Sequence, residues 1–345
     1  MAIAVMTYHY MTWRSGEFGS GSVLGKLGVY AVATFYVLSG LSLSLVYFGR
    51  MNNLSDIRRF AVKRIFRIFP LYYLVVTASL LFSLVDSYRH AIHFQFPWRA
   101  AVLNYSLLFG FVDPTAYLST GAWSIGNEMV FYSIFPFLLL FSNRLSWILP
   151  VVLAVSVALE VYFAFRLLSP DVMLEQQWQI YINPFNQLFL FLSGVVIGAH
   201  CRPSENPRSR IQFAILGLAC IIAFASYPAA GDLSAITTGP ARLTLSIACI
   251  VLVLCVYVSK LSVGGIAGRV LGHLGESCYS IYLLHPLIAM PIVWASQRAN
   301  IGVQYAYTLA FATTLVVSRL TFKFVEAPMM KVGQRWKARD SSLPS

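Results

Sequence analysis

The chain has 345 residues, of which 58% are hydrophobic and 11% charged, with a formal net charge of +12. Soluble domains carry about 25% charged residues, so a soluble enzyme is excluded and a polytopic membrane protein is indicated. The basic residues lie between apolar runs and form no separate basic domain, which assigns the charge to membrane orientation and anionic lipid and not to nucleic acid.

In chain order, residues 2–13 are apolar and aromatic but fall short of the roughly 20 needed to cross a bilayer. They predict a short first span with His9 between Tyr8 and Tyr10, and they show neither a basic leader nor an A-x-A-like cleavage site. Runs long enough to span follow near 25–48, 68–86, 122–142, 146–165, 184–200, 211–228, 242–259, 279–297 and 303–325. The expected fold is therefore all-α, a polytopic membrane bundle of about ten transmembrane helices. Residues 100–112 are only moderately apolar, and their length predicts an interfacial or re-entrant helix within a long hydrophilic segment, 87–120. With both termini placed in the cytoplasm, inside segments hold sixteen basic residues against seven outside, as the positive-inside rule requires. Cys201, Cys220, Cys249, Cys255 and Cys278 form no C-x-x-C pair, so neither disulfides nor a metal site is expected.

The densest basic cluster is RRFAVKRIFRIFP, residues 58–70, at the start of an apolar run. Arg58, Arg59 and Lys63 are explained by orientation alone. Arg64 and Arg67 are spaced i, i+3, which on a helix turns both guanidinium groups to one side, where they can fork onto phosphates.

Ionisable residues within apolar runs are costly in lipid and point to a cavity or a partner. His9 is a candidate general base for an attacking hydroxyl, with an inert helix-end histidine as the alternative. Glu128, in GAWSIGNEMVFY with Trp123 near the interface, could orient a histidine or bind a sugar hydroxyl, or could position a neighbouring helix. His285 precedes Pro286, which breaks backbone pairing, and Ser39 precedes Gly40, which permits close helix approach; structural roles stand beside functional ones for both. Glu326, before the basic end of the chain, suits a helix cap or a nearby basic partner.

FYVLSG at 35–40, RIFRIFPLYY at 64–73, WSIGNEMVFY at 123–132, SGVVIG at 193–198, LGHLGESCYSIYLLHPL at 271–287 and VEAP at 325–328 together resemble the acyltransferase-3 family of bacterial membrane O-acyltransferases. Each motif alone is weak, but their order and spacing cover nearly the whole chain. The resemblance implies a ten-span acyltransferase domain over residues 1–330, its first helix short or truncated, and a basic cytoplasmic tail at 331–345. It implies transfer of an acyl group, often acetyl, from acyl-coenzyme A to hydroxyls of exopolysaccharide, lipopolysaccharide or similar carbohydrate, in the bacterial inner membrane. His9 matches the family's histidine base, with Glu128 assigned beside it as catalytic. Arg64 and Arg67 match the pair that would hold the coenzyme's phosphates, and Ser39, Trp123 and His285 complete the candidate substrate-binding set. Acyl-coenzyme A enters as co-substrate, membrane lipids surround the protein, and no metal or resident cofactor is implied. In one departure, the family pattern places an arginine some eleven residues before the histidine, whereas only eight residues precede His9 here. The rival readings are a carbohydrate or small-molecule transporter and a catalytically degenerate family member.

Overall fold

The computed structural model describes residues 1–340, with side chains as far as Arg335; residues 341–345 of the expected tail lie outside the described residues. In chain order the helices are α1 (Ala2–Ser15), α2 (Val23–Tyr47), α3 (Leu54–Arg89), α4 (Trp98–Tyr105), α5 (Phe109–Val112), α6 (Trp123–Ser142), α7 (Ile148–Tyr162), α8 (Trp178–Tyr181), α9 (Pro184–His200) and α10 (Pro207–Ser226). After them come α11 (Ser234–Thr237), α12 (Gly239–Ser259), α13 (Gly265–Glu276), α14 (Cys278–Arg298), α15 (Val303–Thr321) and α16 (Ala327–Asp340). A π-turn at Phe163–Leu167 prolongs α7, and another at Phe322–Glu326 joins α15 to α16. Among the described residues there is no strand, so the fold is all-α.

Local sequence sets the helix starts. Asn183 before Pro184 and Asn206 before Pro207 each cap with the side-chain oxygen while proline fills the first helical position, where no N–H is needed. Ser22 and Asn53 cap α2 and α3 with a side-chain oxygen alone, accepting from Gly25 N (2.9 Å) and Asp56 N (3.0 Å). The Asn53 cap starts α3 ahead of the basic cluster, so Arg58 to Arg67 lie within a 36-residue helix.

Eight described helices are long and apolar enough to cross a membrane, and a ninth span results if the pair 174–181 and 184–200, bent by 62°, counts as one. The tenth expected span is α1, whose 14 residues rise only about 21 Å, short of the roughly 30 Å hydrocarbon core. Residues 98–112 form helices of eight and four residues, too short to span.

The chain separates into two compact units, one of Ile3–Asn52 with Val130–Gly268 and the other of Asn53–Met129 with the chain from Arg269 onward. In the first, α2 and α9 cross at their glycines. A Cβ on Gly40 would collide with the Phe191 carbonyl oxygen, and one on Gly194 with that of Val37. Thus FYVLSG and SGVVIG are the two halves of one close crossing, the usual role of small residues between membrane helices. On α10, Ile211, Ile215, Leu218 and Ile222 form an exposed stripe at helical spacing, suited to lipid.

In the second unit, α14 packs on α15, and α3 packs on α14 and α16. The buried Asn104 side chain ties the 98–120 segment down. Its Oδ1 accepts from Tyr72 Oη (2.6 Å) and Leu118 N (3.2 Å), and its Nδ2 donates to the Ala116 carbonyl (2.6 Å).

Candidate active site

In the first unit, His9 lies on α1, half-buried, with its ring centroid 5.6 Å from that of Tyr8 and 5.3 Å from that of Trp13. The Tyr8 ring covers Gly28 of α2 so closely that a Cβ there would lie 2.7 Å from it, which sets α1 against α2. Ser39 Oγ lies 2.9 Å from Tyr132 Oη, joining FYVLSG to the end of WSIGNEMVFY by one hydrogen bond.

The same unit holds a feature not singled out from the sequence, a buried ion pair between Glu160 of α7 and Arg242 of α12. The guanidinium forks onto both carboxylate oxygens, with Nη2 2.8 Å from Oε2, and donates from Nη2 to the Asn186 carbonyl (2.9 Å). Tyr30 Oη donates nearby to the Ile236 carbonyl (2.5 Å). Lys26 is also buried, and its ammonium donates to the Ala225 and Tyr227 carbonyls at 2.9 and 2.6 Å. The available signal for the pair was one acid in an otherwise apolar span.

In the second unit, Arg64 and Arg67 lie on α3. Arg64 is half-buried, with its guanidinium carbon 5.8 Å from the Phe60 ring centre. Arg67 pairs with Glu326 at 3.3 Å, lies 5.8 Å from the Tyr279 ring centre and places Nη1 3.0 Å from Met330 Sδ. Glu326 is 1% exposed and accepts from the Ser280 hydroxyl, while Tyr279 Oη donates to the Ile68 carbonyl (3.0 Å). Residues from RIFRIF, GESCYS and VEAP therefore meet around one guanidinium whose side chain remains 25% exposed. Glu326 sits in the π-turn, a local widening of the helix that is frequent at functional sites. Glu128 is half-buried on α6, near enough to Tyr279 and Cys278 to act on both electrostatically.

Trp123 is 7% exposed at the start of α6. Its neighbour Ser124 donates to Tyr282 Oη (2.9 Å), which donates to the Gly121 carbonyl (2.8 Å). Gly121 has φ 80°, a left-handed backbone that favours glycine. His285 is fully buried, with Nδ1 2.8 Å from the Tyr282 carbonyl. That carbonyl would ordinarily accept from the N–H of residue 286, which proline lacks, and the imidazole takes the place of the missing donor.

The candidate residues thus divide between the units. His9 and Ser39 lie in the first, and Arg64, Arg67, Trp123, Glu128 and His285 in the second. Tyr279, Ser280 and Tyr282 belong to a recognised motif, yet nothing in their types or spacing distinguished them from helix surface.

Residues 1–322 match the acyltransferase-3 family model, described as an acyltransferase domain. Over 320 residues the chain is 25% identical to the exopolysaccharide production protein ExoZ of Rhizobium meliloti strain 1021, covering 89% of this chain and 91% of that protein. It is 23% identical over 365 residues to the peptidoglycan O-acetyltransferase OatA of Listeria monocytogenes serovar 1/2a, covering 96% of this chain and 54% of OatA. The chain thus spans about half of that second relative's length. No solved structure matches significantly. With the family match running through most of a chain built of membrane-spanning helices, the protein belongs to the acyltransferase-3 family and is a multi-pass membrane acyltransferase.

Proposed function

We propose that the protein is an O-acyltransferase of the bacterial inner membrane, moving an acyl group, by preference acetyl, from cytoplasmic acyl-coenzyme A to a hydroxyl of a carbohydrate outside the cytoplasm. The names of ExoZ and OatA support a polysaccharide acceptor. The observation that carries the donor assignment is the half-open Arg67, fixed by Glu326 at 3.3 Å but 25% exposed, one helical turn from Arg64. A fastened yet accessible guanidinium beside a second one suits phosphate, because the fork is oriented before the anion arrives.

Orientation follows from the loop charges. Of seven basic residues assigned outside, Lys26 and Arg242 are buried, leaving five against sixteen and strengthening the cytoplasmic placement of Arg64 and Arg67. In the proposed reaction His9 takes the proton of the acceptor hydroxyl while the oxygen attacks the thioester carbonyl. The C–O bond forms, the C–S bond breaks, and the departing coenzyme thiolate is protonated. A transient acyl-histidine, with the same net balance, uses the same residue. Glu128 is assigned a catalytic role through a sugar hydroxyl, and Ser39, Trp123 and His285 are assigned to substrate binding.

The test uses membranes containing the protein, labelled acetyl-coenzyme A and de-O-acetylated surface glycan. Wild type incorporates label, His9→Ala loses about 10²- to 10⁴-fold in rate, and Arg67→Ala raises the apparent KM for acetyl-coenzyme A. Sugar movement without label would identify a carrier and reject the proposal; full activity of His9→Ala would reject the assigned base.

A further inference from the structure

The second unit contains a cavity of about 250 Å³ that no role assigned so far uses. One wall is α3, where Ser79, Ser83 and Asp86 stand at i, i+4 and i+7 and so share a helix face. The opposite wall is Ser119 and Thr120, and the floor is Pro286, Leu287 and Met290 of α14. The polar residues of α3 are not simply its wet end, because Leu81, Leu84 and Val85, interleaved with them, are 57, 44 and 54% exposed. The helix turns an apolar face outward and a hydroxyl-and-carboxylate face into the cavity.

The wall at Ser119 and Thr120 is held on both sides. Leu118 N–H donates to Asn104 at 3.2 Å, and the Gly121 carbonyl accepts from Tyr282 at 2.8 Å. The backbone that carries these two hydroxyl groups is held in this way, so a ligand meets a segment with little left to order.

The lining selects the ligand. Three serines, a threonine and one carboxylate offer donors and acceptors beside an apolar floor, and the carboxylate, Asp86, lies 4.0 Å from the Arg89 guanidinium and 3.4 Å from His90 Nδ1. A carboxylate balanced by Arg89 leaves no net charge to select an ionic ligand, which favours a neutral one, and a single acid is too little for a divalent cation. The volume lies just below the roughly 300–1,000 Å³ of pockets for drug-sized molecules, the scale of a single sugar ring. Its place fits as well. Ser83 is sixteen residues beyond Arg67 on α3, about 24 Å along the axis, so the cavity and the basic pair sit toward opposite ends of one helix.

We infer that the cavity lined by Ser79, Ser83, Asp86, Ser119 and Thr120 is the acceptor subsite, binding one neutral sugar ring of the carbohydrate through its hydroxyl groups. This rests on the acyl-transfer reading above and adds to it the residues that select the acceptor. Asp86 accepts from ring hydroxyls, the serines and threonine complete their hydrogen bonds, and the floor of α14 packs against the ring's C–H face.

The experiment uses the full-length protein in detergent and two readouts, binding of de-O-acetylated oligosaccharides from the producing cell's surface glycan and transfer of labelled acetyl from acetyl-coenzyme A to them. The variants are Ser83→Trp, which fills the cavity, Asp86→Asn, which keeps its shape, and Leu81→Trp, a bulky control on the outward face. Asp86→Asn should weaken oligosaccharide binding and raise the acceptor KM about 10- to 100-fold, the value of a hydrogen bond to a charged group. Ser83→Trp should abolish binding, and in all three variants the KM for acetyl-coenzyme A should stay within about twofold of wild type, far below the tenfold that 1.4 kcal/mol would give. Unchanged acceptor KM in Ser83→Trp and Asp86→Asn, with label still transferred, overturns the subsite and leaves the acyl-transfer reading standing. Binding to wild type that the two variants lose, without label transfer by any protein, supports the sugar site and rejects the reading. Absence of both binding and transfer in wild type overturns both.

Discussion

Each unit contains a buried carboxylate paired with an arginine, and the two pairs are built differently. Glu160–Arg242 is closed, with side chains 1% and 4% exposed and the guanidinium spent on the carboxylate and the Asn186 carbonyl. Glu326–Arg67 is open on one side, with the carboxylate at 1% and the arginine at 25%. A closed pair can only join helices, here α9 to α7 and α12. A half-open pair can hold a guanidinium in place and still offer it to an anion. Exposure of the cation, more than the presence of the ion pair, separates a clasp from a binding group.

The largest effect expected from this contrast is on the closed pair. Arg242→Ala leaves Glu160 buried without its partner and should cost about 3–5 kcal/mol, read as loss of folded protein on heating in detergent. Replacing both residues, Glu160→Leu with Arg242→Met, should recover much of that stability, since an apolar pair of similar volume avoids the desolvation penalty. A double variant no more stable than Arg242→Ala would show that the charge itself is needed there, and the distinction between clasp and binding group would fail.

Arg67→Ala should behave in the opposite way. Because Arg67 is partly solvated and Glu326 keeps the Ser280 hydroxyl, the stability loss should be smaller, about 1–3 kcal/mol. The main effect should fall on donor affinity, with the KM for acetyl-coenzyme A rising about 10- to 100-fold while acceptor KM is retained, as expected for loss of charged hydrogen bonds. Arg67→Lys should recover only part, since an ammonium cannot fork onto phosphate and Glu326 together. A variant that melts like Arg242→Ala with unaltered donor KM would reclassify Arg67 as a second clasp.

The contrast also marks what the amino-acid sequence could reveal. Apolar run length located the eight helices long enough to cross a bilayer and the apolar part of the bent pair, because crossing a bilayer constrains composition strongly, and the Asn-Pro caps of α9 and α10 are visible in the letters. The motifs located the regions that carry the chemistry. What stayed hidden was partnership. Lys26 and Arg242 look like loop charges at span ends, yet both are buried. Glu326 and Arg67 are 259 residues apart, and only the folded chain pairs them. Tyr282 reads as one more aromatic in a helix, although its hydroxyl positions the Gly121 turn, and the bond from His285 to the Tyr282 carbonyl that Pro286 leaves unpaired is visible only in the folded chain.

Intermediate in size is the helix crossing beneath Ser39. Gly40→Ala places a methyl against the Phe191 carbonyl, a backbone atom that cannot rotate away, and should cost about 1–3 kcal/mol by forcing α2 and α9 apart. Ser39→Ala, which removes only the hydrogen bond to Tyr132, should cost about 0.5–1.5 kcal/mol. Equal losses from the two would mean that the crossing has slack, and the close packing of FYVLSG on SGVVIG would lose its significance.

A surface pair provides the baseline for both buried ones and the smallest expected effect. Arg99–Asp113 joins two ends of the segment outside the spans, at 2.7 Å, with Arg99 70% exposed. The Thr115 hydroxyl, with Arg99 assisting and partial burial opposing, holds the Asp113 carboxyl below its usual range. A depressed carboxylate contributes stability above its unfolded pKa, near 3.8, and loses it as pH falls through the lower folded value. Asp113→Asn should therefore melt slightly below wild type at about pH 7, and the gap should narrow as pH falls below the unfolded pKa near 3.8 and close once it has fallen through the lower folded value. The difference should also shrink in high salt, because an exposed partner is screened. A gap that persists at low pH would assign the effect to the turn geometry that Asp113 shares with Thr115, and would remove the ionic baseline against which the two buried pairs are judged.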